Sequence, residues 1–346
     1  MTISPKMKAA FLYGPEDVRI EETATPLPKS GEVVVRVRSV GICQSDLRVI
    51  RGIYKTKYFD FGVDSYGLSG HEWSGEVAMV GEGVDNVKVG QRVVPEIIIS
   101  CGLCRSCKKG MSNLCINKKN VLRGYAEYAI VPAKNLYLLP DNVGFEEAAL
   151  TEPIAVCLRT NDIISPRPGD TVLIIGSGPM GLIHLQVSKL SGAAVIVCDL
   201  LDERLKTAEK LGADYTVNST KQDVKDEVLK FTQGYGADAV IVAVGGRKAM
   251  ETALACVGTG GKVVEFAGSY PAENVELDLN LLHYKEIIIT GSYDHLPIHM
   301  DRAIRLLEKK AINLKDLITH RVSLDNLHEG IRIASGKTCL KVIVNI

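Results

Sequence analysis

The chain has 346 residues, with 41 Lys plus Arg balanced by 41 Asp plus Glu, so its formal net charge is zero. That balance excludes a global field for nucleic acid or an anionic membrane surface and leaves a small molecule as the expected substrate. The length suits two domains with a core each, and apolar runs such as AVIVAVGG fall far short of the ~20 residues a membrane span requires.

The N-terminal stretch MTISPKMKAAFLYGPEDV holds only a short apolar run before Tyr13, too little for a secretory signal, so the cytoplasm is the expected location. In that reducing compartment nine cysteines read as metal ligands, catalytic groups or buried small hydrophobes, not as disulfides. About the first 150 residues alternate β-branched and polar positions (EVVVRVRSVGI, SGEVAMVG, QRVVPEIII) between Gly and Pro breaks, the pattern of a barrel-like β domain. From residue 171 short apolar strands alternate with helical patterns. TVLII, GSGPMG, LIHLQVSKLSG and AAVIVCD are followed by DERLKTAEKLG, DYTVNS, a charged helix between Lys221 and Thr232, DAVIVAVGG, RKAMETALACV, GKVVEFAG and EIIITGSY. About six strands with helical crossovers predict a parallel, doubly wound sheet. Gly-Ala-Asp at 212–214 and again at 236–238 marks helix stops and strand starts. Two further helical patterns, MDRAIRLLEKK and LDNLHEGIRIASG, precede an apolar strand, CLKVIVNI, which is expected to return to the first domain.

Residues 100–115, SCGLCRSCKKGMSNLC, place Cys101, Cys104, Cys107 and Cys115 in the spacing C-x2-C-x2-C-x7-C. Two tight steps present three sulfurs to one point and the longer return supplies the fourth, the arrangement of a tetrahedral structural zinc. Ferredoxin-type iron–sulfur runs use an x3 step before Cys-Pro, whereas here the interval is seven and Ile116 follows. A closed four-sulfur site leaves no position for substrate.

A second set is dispersed. Cys43, His71 and Glu152, in GICQSDLR, SGHEWSGEV and ALTEPIAV, supply the sulfur, nitrogen and carboxylate of a three-ligand zinc site with one position open. Glu72 is either a fourth, exchangeable ligand or a group behind the ligands, and Asp46 is placed to orient an imidazole through its other ring nitrogen. Spacing alone does not bring these residues together. IIGSGPMG sets Gly176, Gly178 and Gly181 in G-x-G-x-x-G between a strand and a helix, with Asp199 ending the next strand. In that context the loop is a dinucleotide fingerprint: turn, close approach of pyrophosphate, and helix–strand packing, with the helix N-terminus facing the phosphates. Asp199 can accept from both ribose hydroxyls and repels a 2′-phosphate, which favours NAD over NADP. Only Arg204 could reach that region, and the plain alternative for Asp199 is to cap the helix from Asp202.

GHEWSGEVAMVGEGVDNVKVGQRV, the preceding C-x-S-D, the cysteine lobe, FEEAALTEP and the glycine loop together resemble the zinc-dependent medium-chain alcohol dehydrogenases, in the sorbitol (polyol) and threonine dehydrogenase branch. The resemblance implies a GroES-like β-barrel catalytic domain, residues 1–153 with 293–346, and a Rossmann NAD-binding domain, residues 154–292. It implies two zinc ions per chain, a catalytic one surrounded by Cys43, His71 and Glu152 with Glu72 in reach, and a structural one in the lobe. It gives Ser45 the passage of the substrate proton. Pro179 and Met180 of the loop, with Val244 and Gly268 in AVGG and AGSY, would line the cofactor, meeting the substrate in the crevice between the domains. A homotetramer is implied as well. The expected reaction is hydride transfer from a polyol or secondary alcohol to NAD, with an aldose or threonine dehydrogenase as near rivals and a non-catalytic zinc ribbon as the rival of another class. Both named branches usually have His where this chain has Arg48, so Arg48, Tyr54 and Asp294 are candidate hydroxyl-recognising residues.

Overall fold

The computed structural model describes residues 3–53 and 60–346; Tyr54 lies outside the described residues. The chain divides into two compact units, one of residues 1–155 with 296–346 and one of residues 156–295.

In the first unit a strand pair, Lys6–Gly14 with Asp17–Ala24, accompanies a seven-stranded sheet. Its organising strand is Glu32–Gly41, where Val33, Val34, Val35, Val37 and Val40 are all buried, because a β-branched run fits a pleated surface covered on both faces. Three antiparallel neighbours pair with it: Glu72–Val80, Tyr128–Pro132 and the C-terminal Lys341–Asn345. The tail therefore returns to the first unit as expected. Trp73, Val77, Tyr125, Val342 and Val344 pack with Val33, Val35, Val37 and Val40 as one apolar cluster. Strand Ile318–Ser323 was not among the expected elements; it pairs in parallel with the C-terminal strand.

The second unit is a six-stranded parallel sheet of β1 (Thr171–Ile175), β2 (Ala194–Asp199), β3 (Tyr215–Asn218), β4 (Ala237–Val242), β5 (Val257–Glu265) and β6 (Ile288–Gly291). The spatial order is β3-β2-β1-β4-β5-β6. This is the doubly wound order, whose direction reverses between β1 and β4 and opens a ligand crevice at their carboxyl ends. Helices α1 (Pro179–Leu190), α2 (Asp202–Lys210), α3 (Val224–Phe231) and α4 (Arg247–Cys256) lie where the periodicity places them. Gly212, with φ of +98°, stops α2 in the left-handed region that excludes most side chains, whereas α3 ends earlier than the Gly-Ala-Asp at 236–238 suggests, with Gln233 and Gly234 at φ +54° and +90° just after its C-cap Thr232. Helix α5 (Leu279–Lys285) was missed: it is only seven residues long and sets just Leu281 and Leu282, both half-buried, against the core, too short a stretch to show a helical period. Cys157, Cys198, Cys256 and Cys339 are buried among apolar side chains, as small core hydrophobes. Among the described residues no helix is long and apolar enough to cross a membrane.

Candidate metal and dinucleotide sites

The four lobe cysteines converge. Sulfur–sulfur distances are 3.4 Å for Cys115–Cys101, 3.5 Å for Cys104–Cys107, 3.9 Å for Cys104–Cys115 and 4.0 Å for Cys101–Cys107. A disulfide needs about 2.05 Å. A tetrahedral zinc with bonds of about 2.3 Å spaces its sulfurs about 3.8 Å apart, so these thiols fit that ion. A turn-helix makes the cluster: Cys104 caps the short helix Arg105–Lys108 and Cys107 sits within it. Backbone N–H groups at Leu103 and Cys104 lower the Cys101 thiol to about 6, favouring the thiolate that a metal requires.

The second cluster forms where a strand turns into a helix. Cys43 caps the helix Gln44–Ile50, with Ser45 half-buried in its first turn and Arg48 half-buried in its last. His71 lies immediately before strand Glu72–Val80, and Glu72 opens it. The ligand atoms of Cys43, His71 and Glu72 lie within 4.8 Å of one another. Glu152, buried at the start of helix Thr151–Ile164, is outside that set, although its charge reaches Lys341 in the same unit.

Asp46 is fully buried and organises the ligands. Its carboxylate accepts from Ser69 Oγ at 2.6 Å, Tyr125 OH at 2.7 Å and Cys43 N–H at 3.1 Å, and lies 3.4 Å from His71 Nδ1. His71 Nδ1 is also 3.0 Å from the Ser69 carbonyl, which can only accept, so the proton belongs on Nδ1 and Nε2 keeps its lone pair for a metal. Burial disfavours charge on His71, but Asp46 and Cys43 outweigh it and hold its pKa well above the ordinary value. Lys341 is likewise raised: burial opposes its charge, while Glu72 and Cys43 sustain it. Both shifts report a negative potential at this point, the condition a divalent cation needs. Ser69, Tyr125 and Lys341 were not anticipated. Lys341 carried a signal, as the one charge inside the apolar run CLKVIVNI.

In the second unit the glycine loop sits at the carboxyl end of β1. Gly176 has φ +99°, with Val244 from the end of β4 directly against it; a Cβ there would meet Val244 Cβ at 3.1 Å. A Cβ on Gly181 would collide with the Gly176 carbonyl, so only glycine lets α1 start so close to the strand. Gly178 caps α1, Pro179 occupies its first turn with Met180 following, and Gly268 has φ +60°. Asp199 does not cap α2, whose cap is Leu201. One of its carboxylate oxygens accepts from Ser177 N–H at 2.7 Å and Ser177 Oγ at 2.8 Å, the other from the N–H groups of Leu200 at 2.7 Å and Leu201 at 3.0 Å. Arg204 Nη1 stands 4.0 Å from the same carboxylate. The strand-end acid, the glycine cradle and the helix N-terminus thus suit a dinucleotide. Asp294, at φ +62°, places its carboxylate 3.8 Å from Nδ1 of the buried His295.

Comparison with known proteins bears on the same residues. Residues 29–141 match the alcohol dehydrogenase GroES-like domain and residues 179–309 the zinc-binding dehydrogenase domain. Sorbitol dehydrogenase of Bacillus subtilis (strain 168) is 33% identical over 353 residues, 99% of this chain and 98% of that one. L-Threonine 3-dehydrogenase of Pyrococcus abyssi is 36% identical, over 96% of this chain and 95% of its own. Among solved structures, a short chain alcohol dehydrogenase from E. coli CFT073 complexed with NADH superposes with a TM-score of 0.91 at 30% identity, over 99% of this chain and 100% of that one. The chain belongs to the zinc-dependent medium-chain alcohol dehydrogenases, enzymes acting on CH–OH groups, and combines a GroES-like domain with a Rossmann sheet.

Proposed function

We propose that the protein oxidises a polyol or related secondary alcohol with NAD, using zinc at the Cys43–His71 site and a second, structural zinc in the cysteine lobe. The observation that carries this is the convergence of a thiol, an imidazole anchored through its Nδ1 and a carboxylate within 4.8 Å, at a point of negative potential. Zinc, when bound, makes an alcohol hydroxyl acidic near neutral pH and polarises the carbonyl in the reverse direction. Cys43 and His71 hold it with a carboxylate, Glu152 or Glu72. Asp46 fixes the imidazole and keeps its proton on Nδ1. Ser45, in the turn that carries Cys43, passes the substrate proton outward. In the second unit the α1 N-terminus and the glycine loop, Gly176 to Gly181, take the pyrophosphate. Val244 and Gly268 line the cofactor, and Asp199 binds the ribose hydroxyls with Arg204 beside it. Four protein donors fix the Asp199 carboxylate in place at the end of β2, where an approaching 2′-phosphate would meet it, which disfavours NADP.

Four thiols spaced for a metal, not for disulfides, suit a cytoplasmic enzyme. The exposed edge of the second unit, where Ile288 and Ile289 of β6 are 51% and 37% exposed, offers a strand that a second copy would extend, one pairwise contact within the homotetramer the resemblance implies. The similarity to a threonine dehydrogenase keeps an amino alcohol as the second substrate reading.

The test is a panel of polyols, aldoses, amino alcohols and simple secondary alcohols with NAD or NADP, followed by reduced-nicotinamide absorbance. A polyol with NAD is the expected best pair. Failure of the zinc-loaded enzyme to oxidise any alcohol would overturn the reading, and a preference for NADP would remove the role given to Asp199.

A further inference from the structure

Three adjacent strands of the first unit place an ammonium group beside the Cys43–His71 cluster. The register sets Gly41, on the central strand, opposite Glu72 on one neighbour and Ile343 on the other. Glu72 extends its carboxylate across Gly41, where any Cβ would collide with Glu72 Oε2. On the far side Lys341 Nζ meets both oxygens, at 2.7 Å and 2.9 Å, and lies 3.4 Å from the Ile42 carbonyl. Lys341 is 4% exposed and Glu72 1% exposed. Burying such a pair costs desolvation of both charges, and leaving either partner alone is worse.

Resting on the zinc reading of Cys43 and His71, we propose that Lys341 is a positioning residue that holds the Glu72 carboxylate away from the metal and so keeps a coordination position open for the alcohol. Glu72 is near enough to be a ligand, and a carboxylate beside a divalent cation is drawn to it. The ammonium competes for the same oxygens, and Gly41 supplies the path between them. Two consequences follow. Without Lys341, Glu72 moves onto the metal, binding tightens and turnover falls because the open position is filled. Without the metal, Lys341 is what neutralises Glu72, so its removal destabilises the apo-protein more than the zinc-loaded one.

The experiment measures zinc affinity by chelator competition, and thermal midpoints with and without zinc, for the full-length wild type, Lys341→Met, Lys341→Arg, Gly41→Ala and Lys341→Met combined with Glu72→Gln. Lys341→Met is expected to bind zinc at the Cys43–His71 site about tenfold more tightly, with a larger zinc-induced rise in midpoint and a lower kcat at similar KM. Gly41→Ala, which blocks the path without removing a charge, should move affinity in the same direction; it also reads the effect if Lys341→Met folds poorly. Lys341→Arg should stay near wild type, and Glu72→Gln should cancel the tightening, which a merely structural loss would not show. Wild-type affinity in both Lys341→Met and Gly41→Ala, or a tightening that persists in the Glu72→Gln background, overturns the inference while leaving the zinc reading intact. A wild type that holds zinc only in the cysteine lobe overturns both.

Discussion

At the scale of single residues, two histidines, one half-buried and one buried, show how surroundings set a role. His71 is held through Nδ1 by the Ser69 carbonyl and Asp46, which leaves Nε2 as the nitrogen on the Cys43 side that a metal would take. His184, on α1, is 1% exposed, lies edge-on to Phe266 at 4.4 Å, and neither ring nitrogen has a hydrogen-bond partner among the described residues. Burial alone pushes its pKa down to about 3. Its folded-state pKa is thus depressed below the unfolded value near 6.5, so the neutral ring's contribution is fully present above pH 6.5 and is lost as pH falls from there toward 3. The slope is about 1.4 kcal/mol per pH unit for a fully buried group. In urea titrations between pH 6.5 and 4, His184→Leu should lose stability less steeply than wild type by up to that slope. Parallel curves would show that His184 stays neutral for another reason or is wetter than its burial implies. The sequence marked His71 through its GHE context. Nothing in it separated His184 from a solvated histidine on a helix.

At the scale of elements, strands were legible where alternation or a continuous apolar run met a glycine break, as in β1, β2 and β4, and boundaries fell within a few residues. The glycine loop was legible because its spacing is a steric requirement: Gly181 has no room for a Cβ against Gly176. The supporting contacts were not. Ser177 to Asp199, Tyr125 to Asp46 and Lys341 to Glu72 span 22, 79 and 269 positions, and no local pattern encodes such pairs. The cysteine lobe is local in sequence, so the convergence of its four thiols was legible from spacing. Leu103 and Ile116 in that segment are 77% and 80% exposed, so on the zinc reading proposed above the ion, and not an apolar core, is what stabilises it. In zinc-finger peptides such a site contributes about 10–16 kcal/mol of apparent binding energy. Cys107→Ala should therefore lower the thermal midpoint by roughly 5 °C or more and expose the lobe to proteolysis, while the Cys43–His71 site still binds zinc. An unchanged midpoint with the lobe still protected would mean the thiols stand there without a metal.

At the scale of the molecule, the balanced charge, the doubly wound sheet and the returning C-terminal strand were all foreseeable from pattern. The return matters chemically, because it brings Lys341 to a cluster that begins at Cys43, almost three hundred residues earlier. Substrate choice stays at the level of chemical class: Arg48 and Asp294 are positioned polar groups, but neither residue type selects one polyol over another. What the whole reading requires is that the dispersed cluster hold a metal of its own, distinct from the ion in the lobe. Metal analysis of the purified protein tests this most directly. Two zinc ions per chain are predicted in the wild type, and one in Cys43→Ala, which should keep its fold and lose reduction of NAD by alcohols; a wild type with one zinc, or a Cys43→Ala protein that retains both, would contradict it.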